Sequence, residues 1–124
     1  MPELKKYKMF INGEWVNSDT EKTFETLNPE NNKPWAIVPE ASASDVDRAV
    51  RAAQNAFEGE WPKLLPKERA KYLRLIGDKL RDNAERLGKI ETIDTGKLYR
   101  ETYKQANYIA EYYDYYAGLA DKVE

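Results

Sequence analysis

The 124-residue chain contains no cysteine and no histidine. Without cysteine there is no disulfide framework, no thiolate nucleophile and no zinc–thiolate site. Without histidine the commonest acid–base side chain is missing too, which limits what the chain can catalyse alone. Long apolar runs are also lacking: none approaches the roughly 18 residues that span a bilayer. The basic start MPELKKYK is followed by no apolar signal core. The expectation is a cytoplasmic protein with no membrane role. Charge of one sign is not in excess: 20 basic residues face 22 acidic ones, for a net charge of −2. A nucleic-acid partner would need a basic patch or stripe, so none is expected. The six glycines, at positions 13, 59, 77, 88, 96 and 118, are isolated, with no G-x-G-x-x-G or G-x-x-x-x-G-K among them. No internal repeat and no flexible linker interrupts the chain. At this length it is one domain or a piece of one.

Residues 8–41 read as mostly β. KMFI and EWV flank Asn12-Gly13, and Asn-Gly is the favoured pair for a two-residue type I′ hairpin because both positions need positive φ. Met9 or Phe10 with Ile11, then Trp15 and Val16, supply its apolar side chains. TFETL, residues 23–27, is a second extended stretch, stopped by Asn28-Pro29 and the polar turn ENNK. WAIVPEA, residues 35–41, is a third, which Pro39 demotes to an edge or an end.

Residues 44–122 read as mostly helical. Ser44 with Asp47 three residues on predicts a helix start, and Asp45 and Asp47 suit its positive end. Val46, Ala49, Val50, Ala53 and Phe57 follow at helical spacing, and Gly59 and Pro62 end the run. Trp61 reads as a packing anchor in the connector. Pro66 opens a second helix, with Glu68 in its first turn and Leu65 where a side-chain cap would stand. Leu73, Ile76 and Leu80 form its stripe. Asp82-Asn83-Ala84-Glu85 has the form of a capping box, so a break near 82 and a third helix over 83–95 are predicted. Ala84, Leu87, Ile90 and Glu91 share one side of it, and Gly96 stands where a helix C-terminal glycine belongs. A last long helix is predicted over about 100–121.

That last helix holds five of the nine tyrosines within NYIAEYYDYYAGLADK, residues 107–122. Ala106, Ile109, Tyr113, Tyr116 and Ala120 share one face, and Tyr108, Tyr112, Tyr115 and Leu119 the next. Two adjoining stripes imply burial on more than one side. The upstream helices can cover one; the other needs more chain, another subunit or a ligand. Aromatic stripes at helical spacing are usually core, and each buried phenol hydroxyl needs a partner.

The stretch IETIDTGK, residues 90–97, places two carboxylates near a helix end. Glu91 lies on the apolar side, where a carboxylate must be paired or hydrogen-bonded. Arg69 or Arg74 on the preceding helix could serve. Asp94 can bond locally to the Thr95 or Gly96 amides. Lys97 reads as an anion binder or, more simply, as a favourable charge at a helix C-terminus.

Taken in order, FINGEWV, TFETLNP, VPEAS with DVDRAVRAAQNAF, a Trp followed by ERAKYL, ETIDTGK and YYAGLADK resemble the N-terminal part of an NAD(P)-dependent aldehyde dehydrogenase. ETIDTGK and the aromatic helix are most similar to members acting on betaine aldehyde, phenylacetaldehyde and related soluble aldehydes. The resemblance implies that this chain is α+β: a β-hairpin and short strands, then about four helices. It would form residues 1–124 of a larger α/β fold with a Rossmann-like cofactor domain. It further implies, for a complete enzyme, NAD or NADP as cofactor and a cysteine thiolate that attacks the aldehyde. An oxyanion held by a backbone amide and an asparagine would follow, and a glutamate would activate water. Those groups match nothing in this chain, so no catalytic or cofactor-binding residue is assigned, and no dinucleotide is expected to bind it tightly. Carried over by resemblance are candidate ligands for a structural potassium or sodium ion, namely carbonyls of Leu27 and Thr26 and the carboxylate of Asp94. Hard cations take oxygen ligands of this kind. Tyr108 and Tyr112 carry over as candidates for the wall of the aldehyde entry channel.

Two expectations of different class follow. One is an N-terminal aldehyde dehydrogenase segment, inactive by itself, whose partners are the remaining chain and a small aldehyde. The other is a stand-alone, non-catalytic helical module that self-associates or docks on a full-length relative.

Overall fold

Asn12 and Gly13 take φ of 52° and 81°, the left-handed pair that a two-residue hairpin turn demands. They join β2 (Met9–Ile11) to β3 (Glu14–Val16), in a register that sets Phe10 opposite Trp15. These elements belong to a computed structural model that describes residues 4–122. Residues 1–3 and 123–124, the ends of the expected single span, lie outside the described residues. The chain divides into two compact units, one ending at Glu60 and the other beginning at Trp61.

In the first unit, β4 (Thr23–Asn28) turns through the ENNK segment into β5 (Lys33–Pro39). The Asn28 side chain accepts from the Glu30 amide at 2.9 Å, and Asn32 takes a φ of 55°, both ordinary uses of asparagine in tight turns. β5 was expected at an edge or to end at its proline. It does end at Pro39, yet it is the central strand of a three-stranded sheet ordered β1-β5-β4. The third member, β1 (Lys5–Lys6), pairs parallel to Ala36 and Ile37, and the Tyr7 amide donates to the Ile37 carbonyl at 2.9 Å. The missing amide of Pro39 lies beyond this pairing, so the proline does no harm. Two consecutive lysines carry no strand signal, which is why β1 is unreadable from sequence. The side chain of Ala36, at the centre, is fully buried.

The helix that follows, α1 (Ala43–Glu58), is capped two residues earlier than Ser44 and Asp47 suggested. Ser42 is its N-cap: its hydroxyl accepts from the Asp45 amide at 3.1 Å, and the Asp45 carboxylate accepts from the Ser42 amide at 2.9 Å. Ser44 lies inside the helix, and Asp47 is exposed and pairs with Arg51 at 2.8 Å. Ser42 and Asp45 win because Asp45 also has tertiary partners, described below. The apolar stripe of α1 is present in sequence but not covered: Val46, Val50 and Phe57 are all exposed. Phe10 and Trp15 of the hairpin are exposed as well, their rings 5.0 Å apart.

The second unit opens with a short 3-10 turn, Trp61–Lys63, where Trp61 leans on Tyr72 at 5.7 Å. It continues with α2 (Pro66–Asp82), α3 (Ala84–Thr95) and α4 (Tyr99–Leu119). Pro66 occupies the first turn as expected, and Glu68 accepts from the Leu65 amide at 2.8 Å, satisfying one orphan donor without a side-chain cap. The break near 82 is real, but the Asp82–Glu85 capping box does not form: α3 is preceded by Asn83 with no side-chain cap bond, and Glu85 pairs with Lys89. The Asn83 side chain donates back to the Lys79 carbonyl at 2.9 Å and accepts from Arg86 at 3.3 Å, closing α2 rather than opening α3.

The interior of this unit is lined by small residues. Ala70 and Gly77 of α2, Ala84 and Gly88 of α3, and Thr102, Ala106, Ala110 and Ala117 of α4 are its buried positions. Ile76 of the expected α2 stripe is exposed; of the first α4 stripe Ala106 is buried and Tyr113 and Ala120 are half-buried while Ile109 and Tyr116 are exposed, and of the second Tyr108, Tyr112 and Tyr115 are exposed. A Cβ on Gly88 would lie 3.0 Å from the Cα and N of Tyr103, so α3 and α4 meet backbone to backbone. Large side chains would hold these helices apart; Tyr108, Tyr112, Tyr115 and Tyr116 are turned outward, and only Tyr113 among the tyrosines of this run is half-buried.

Candidate functional site

Three places hold the residues singled out from sequence. On β4, Thr26 and Leu27 sit at an irregularity: Thr26 registers with Ala36 but Leu27 with Pro34, so Trp35 is the extra residue of a β-bulge. Pro34 has no N–H to offer Leu27 across the ladder, and bulges commonly re-aim main-chain groups.

At the end of α3, Asp94 is exposed. The Gly96 amide, one of its expected local donors, is held by the Thr92 carbonyl at 2.9 Å in a left-handed C-cap with φ of 75°. That cap turns the chain back on itself. Lys97 then returns over the helix and its ammonium pairs with Glu91 at 2.8 Å. Glu91 is half-buried as expected, but its partner is Lys97 and not Arg69 or Arg74. The Arg69 guanidinium instead donates to the Leu64 carbonyl at 2.6 Å. Sequence distance along α2 misled; the glycine cap made the nearer cation reachable. The arrangement neutralises Glu91 and gives it no proton-transfer partner.

On α4, Tyr108 and Tyr112 are one turn apart and touch. Their rings meet edge to face at 5.0 Å, and the Tyr112 hydroxyl donates to that of Tyr108 at 3.0 Å. The hydrogen bond to Tyr108 raises the Tyr112 pKa above the ordinary phenol value, because losing the proton loses the bond. With Glu111, Tyr115 and Tyr116 they line an open groove. The sequence brought Tyr108 and Tyr112 together correctly, and Tyr116, expected on the adjoining face, borders the same groove.

Two polar centres were missed. Asp45 is buried and holds the first unit together. It accepts from the Ser18 hydroxyl at 2.7 Å and the Asp19 amide at 3.3 Å, besides capping α1 and pairing with Arg48. These bonds, the Ser42 amide first and the Ser18 hydroxyl next, hold its carboxyl well below the usual carboxylate range, against the opposing effect of burial. Thr102 is fully buried in the second unit. Its hydroxyl donates to the Gly88 carbonyl at 2.9 Å and lies 2.9 Å from the Thr92 hydroxyl. The S-x-x-D spacing of Ser42 and Asp45 was a readable signal for the first; nothing local marked the second. Both are buried structural anchors.

Among the described residues no group of three or more Asp and Glu side chains is placed to hold a metal ion, and no helix is long and apolar enough to cross a membrane.

The aldehyde dehydrogenase family model matches residues 15–124. Over 122 residues the chain is 43% identical to (Z)-2-((N-methylformamido)methylene)-5-hydroxybutyrolactone dehydrogenase of Acinetobacter baylyi, covering 98% of this chain and 25% of that protein. Among solved structures, a betaine aldehyde dehydrogenase of Staphylococcus aureus in complex with NAD+ superposes with a TM-score of 0.89 at 40% identity, over 94% of this chain and 24% of that one. An NAD-dependent aldehyde dehydrogenase of Sinorhizobium meliloti superposes with a TM-score of 0.93 at 30% identity, over 98% and 25%. The hairpin, the short strands and the four helices are thus an α+β portion of the aldehyde dehydrogenase fold, and the chain belongs to the aldehyde dehydrogenase family. It spans about a quarter of the length of the relatives it matches.

Proposed function

We propose that this chain is the N-terminal segment of an NAD(P)-dependent aldehyde dehydrogenase, whose complete form oxidises an aldehyde to a carboxylic acid. In that role it supplies outer helices and edge strands to the cofactor-binding domain and is inactive alone. The observation that best supports this is the match to a structure solved with NAD+, at 40% identity across 94% of this chain but only 24% of that one. The residues present do not fit the cofactor: with six isolated glycines and no phosphate-binding turn, nothing here cradles a dinucleotide. No chemical step is therefore derived through it. The nucleophile must likewise come from other polypeptide, since this chain has no cysteine.

Within this reading, Leu27, Thr26 and Asp94 are candidate ligands for a structural potassium or sodium ion. The bulge opposite Pro34 supports main-chain oxygen donors on β4, and carbonyls with one carboxylate suit a hard, singly charged cation. Tyr108 and Tyr112 are candidates for the aldehyde channel wall, supported by their shared, outward-facing contact. The remaining polypeptide is the partner that would cover the exposed apolar residues. A cytoplasmic location agrees with this role.

The test is an assay of the purified 124-residue chain with an aldehyde and NAD+ or NADP+, read as absorbance at 340 nm, alongside titration of tryptophan fluorescence with each cofactor. No turnover and no saturable binding are expected. Turnover by this chain alone overturns the proposal. The exposure of Phe57, Trp15 and Tyr115 also admits a self-associating module. A discrete, concentration-dependent dimer would favour that second reading, because a segment short of its partner surface should instead associate without limit.

A further inference from the structure

We propose that the first unit carries a binding site for a small amphiphilic anion, an organic carboxylate or phosphate monoester with a short apolar tail, in the cavity walled by Lys6, Lys8 and Lys22. The cavity has a volume of about 270 Å3. Its walls come from the chain around β1, from the residues leading into β4 and from the end of β5. Three ammonium-bearing side chains border it against a single carboxylate, that of Glu21. The excess is local, since the whole chain carries a net charge of −2. Among the described residues no carboxylate is ion-paired to Lys6, Lys8 or Lys22. Lys89, Lys97 and Lys122 pair with Glu85, Glu91 and Asp121; Lys33, Lys67, Lys71, Lys79 and Lys104 form no ion pair among the described residues either, so what sets Lys6, Lys8 and Lys22 apart is that they border one cavity. Lys5 adds a fourth positive charge beside the cavity, standing 4.7 Å over the ring of Tyr7, itself a wall residue.

Like charges that border one cavity repel one another to the extent that they lie within a Debye length, roughly 8–10 Å. An anion seated among them relieves that repulsion. The rest of the lining combines apolar surface, from the half-buried Ile37 and Pro39 and the Tyr7 ring, with the polar side chains of Asn17, Ser18 and Thr23. Lysine commonly lays its methylene stem along apolar surface while its head reaches water. A cationic rim over partly apolar walls recognises a ligand with an anionic head and a greasy body, not a bare inorganic ion. The fold holds the cavity open independently of any ligand. The Tyr7 amide is bonded to Ile37 and the Ser18 hydroxyl to Asp45, fixing two of its sides. The proposal is independent of the dehydrogenase reading, because it uses no residue of the channel or ion candidates.

The experiment is calorimetric titration of the 124-residue chain with octanoate and octyl phosphate, with inorganic phosphate and octanol as head-only and tail-only probes. Saturable binding of one or both amphiphiles is expected, at least tenfold tighter than either control. The stronger of the two identifies the head group as carboxylate or phosphate. A Lys6→Gln/Lys8→Gln/Lys22→Gln variant should weaken binding at least tenfold, while Lys67→Gln/Lys71→Gln/Lys104→Gln, with the same change in net charge, should leave it within twofold. Because a variant could misfold, binding to the unaltered chain is also measured at 50 and 200 mM salt and should weaken severalfold at the higher value. Absence of saturable binding, equal binding of phosphate or octanol, equal effects of the two triple variants, or indifference to salt each overturns the site.

Discussion

Along α4, Thr102, Ala106, Ala110 and Ala117 are buried, whereas Tyr108, Tyr112, Tyr115 and Tyr116 of the same helix stand about half exposed. One side is read by its neighbours in this chain and the other is not. The buried side works by close approach. Small residues let α2, α3 and α4 meet near their backbones, and a single hydroxyl, that of Thr102, ties α3 to α4. The aromatic side contributes little to holding this unit together and much to whatever it meets. Size alone is therefore a poor guide to what is core here: the fully buried positions are small, while Leu73, Leu80, Leu87 and Tyr113 are only half-buried.

The sharpest way to break this contrast is to overfill the tight side. Gly88→Val would drive methyl groups into the Tyr103 backbone, which already lies 3.0 Å from where a Cβ would stand. Overpacking at a rigid contact should cost the second unit about 3 kcal/mol, read by urea denaturation. Thr102→Val keeps the shape but removes the hydroxyl that binds the Gly88 carbonyl and meets Thr92. A loss of about 1–2 kcal/mol is expected in the same measurement.

The same contrast between a tied and an exposed group recurs on α1, between Asp45 and Asp47. Asp45 is held below its ordinary range by the Ser42 amide, then by Ser18. A depressed carboxylate stabilises the folded state above its unfolded pKa, and that contribution drains away as pH falls toward the folded value. Stability of the first unit should therefore be level above about pH 5 and decline below about pH 4. Asp45→Asn should lower stability at neutral pH and flatten the acid decline; Asp47→Asn should do neither. Thermal melts across pH 2–7 decide this.

The smallest effects should come from the aromatic side. Tyr108→Phe should leave the melting temperature within about 1 °C, in keeping with exposed-surface substitutions. It should nonetheless lower the pKa of Tyr112, whose elevation comes first from the bond to Tyr108. Ultraviolet titration of the phenols should show the late-titrating tyrosine moving back toward the ordinary range. If Tyr108→Phe instead unfolds the helix, the division of α4 into a structural and an outward side is wrong.

Much of the local architecture was legible. Asn12-Gly13 announced the hairpin, Pro66 and Gly96 marked helix ends, and the pause at 82–83 appeared where Asn83 closes α2. Each is a feature whose backbone geometry is dictated by one or two residues. Partners across the chain were less legible. Glu91 found Lys97 through a turn whose reach depends on the left-handed cap, and Asp45 found Ser18, which is 27 residues away. Among the site candidates, the Tyr108–Tyr112 contact followed from a spacing of four on a helix. The bulge beside Leu27 did not, because it arises from how β4 and β5 register.

By itself the sequence determined the kinds of element, their order and the family to which they belong, since turn chemistry, helix ends and the run of short motifs are local properties. Only the tertiary structure decided which face of each helix is inside. Helical spacing reports that two sides are apolar but not which one can approach a neighbour closely. On α4 that choice went to alanine and threonine, because only small side chains let α2 and α3 approach its backbone closely, and Tyr108, Tyr112, Tyr115 and Tyr116 were left facing out.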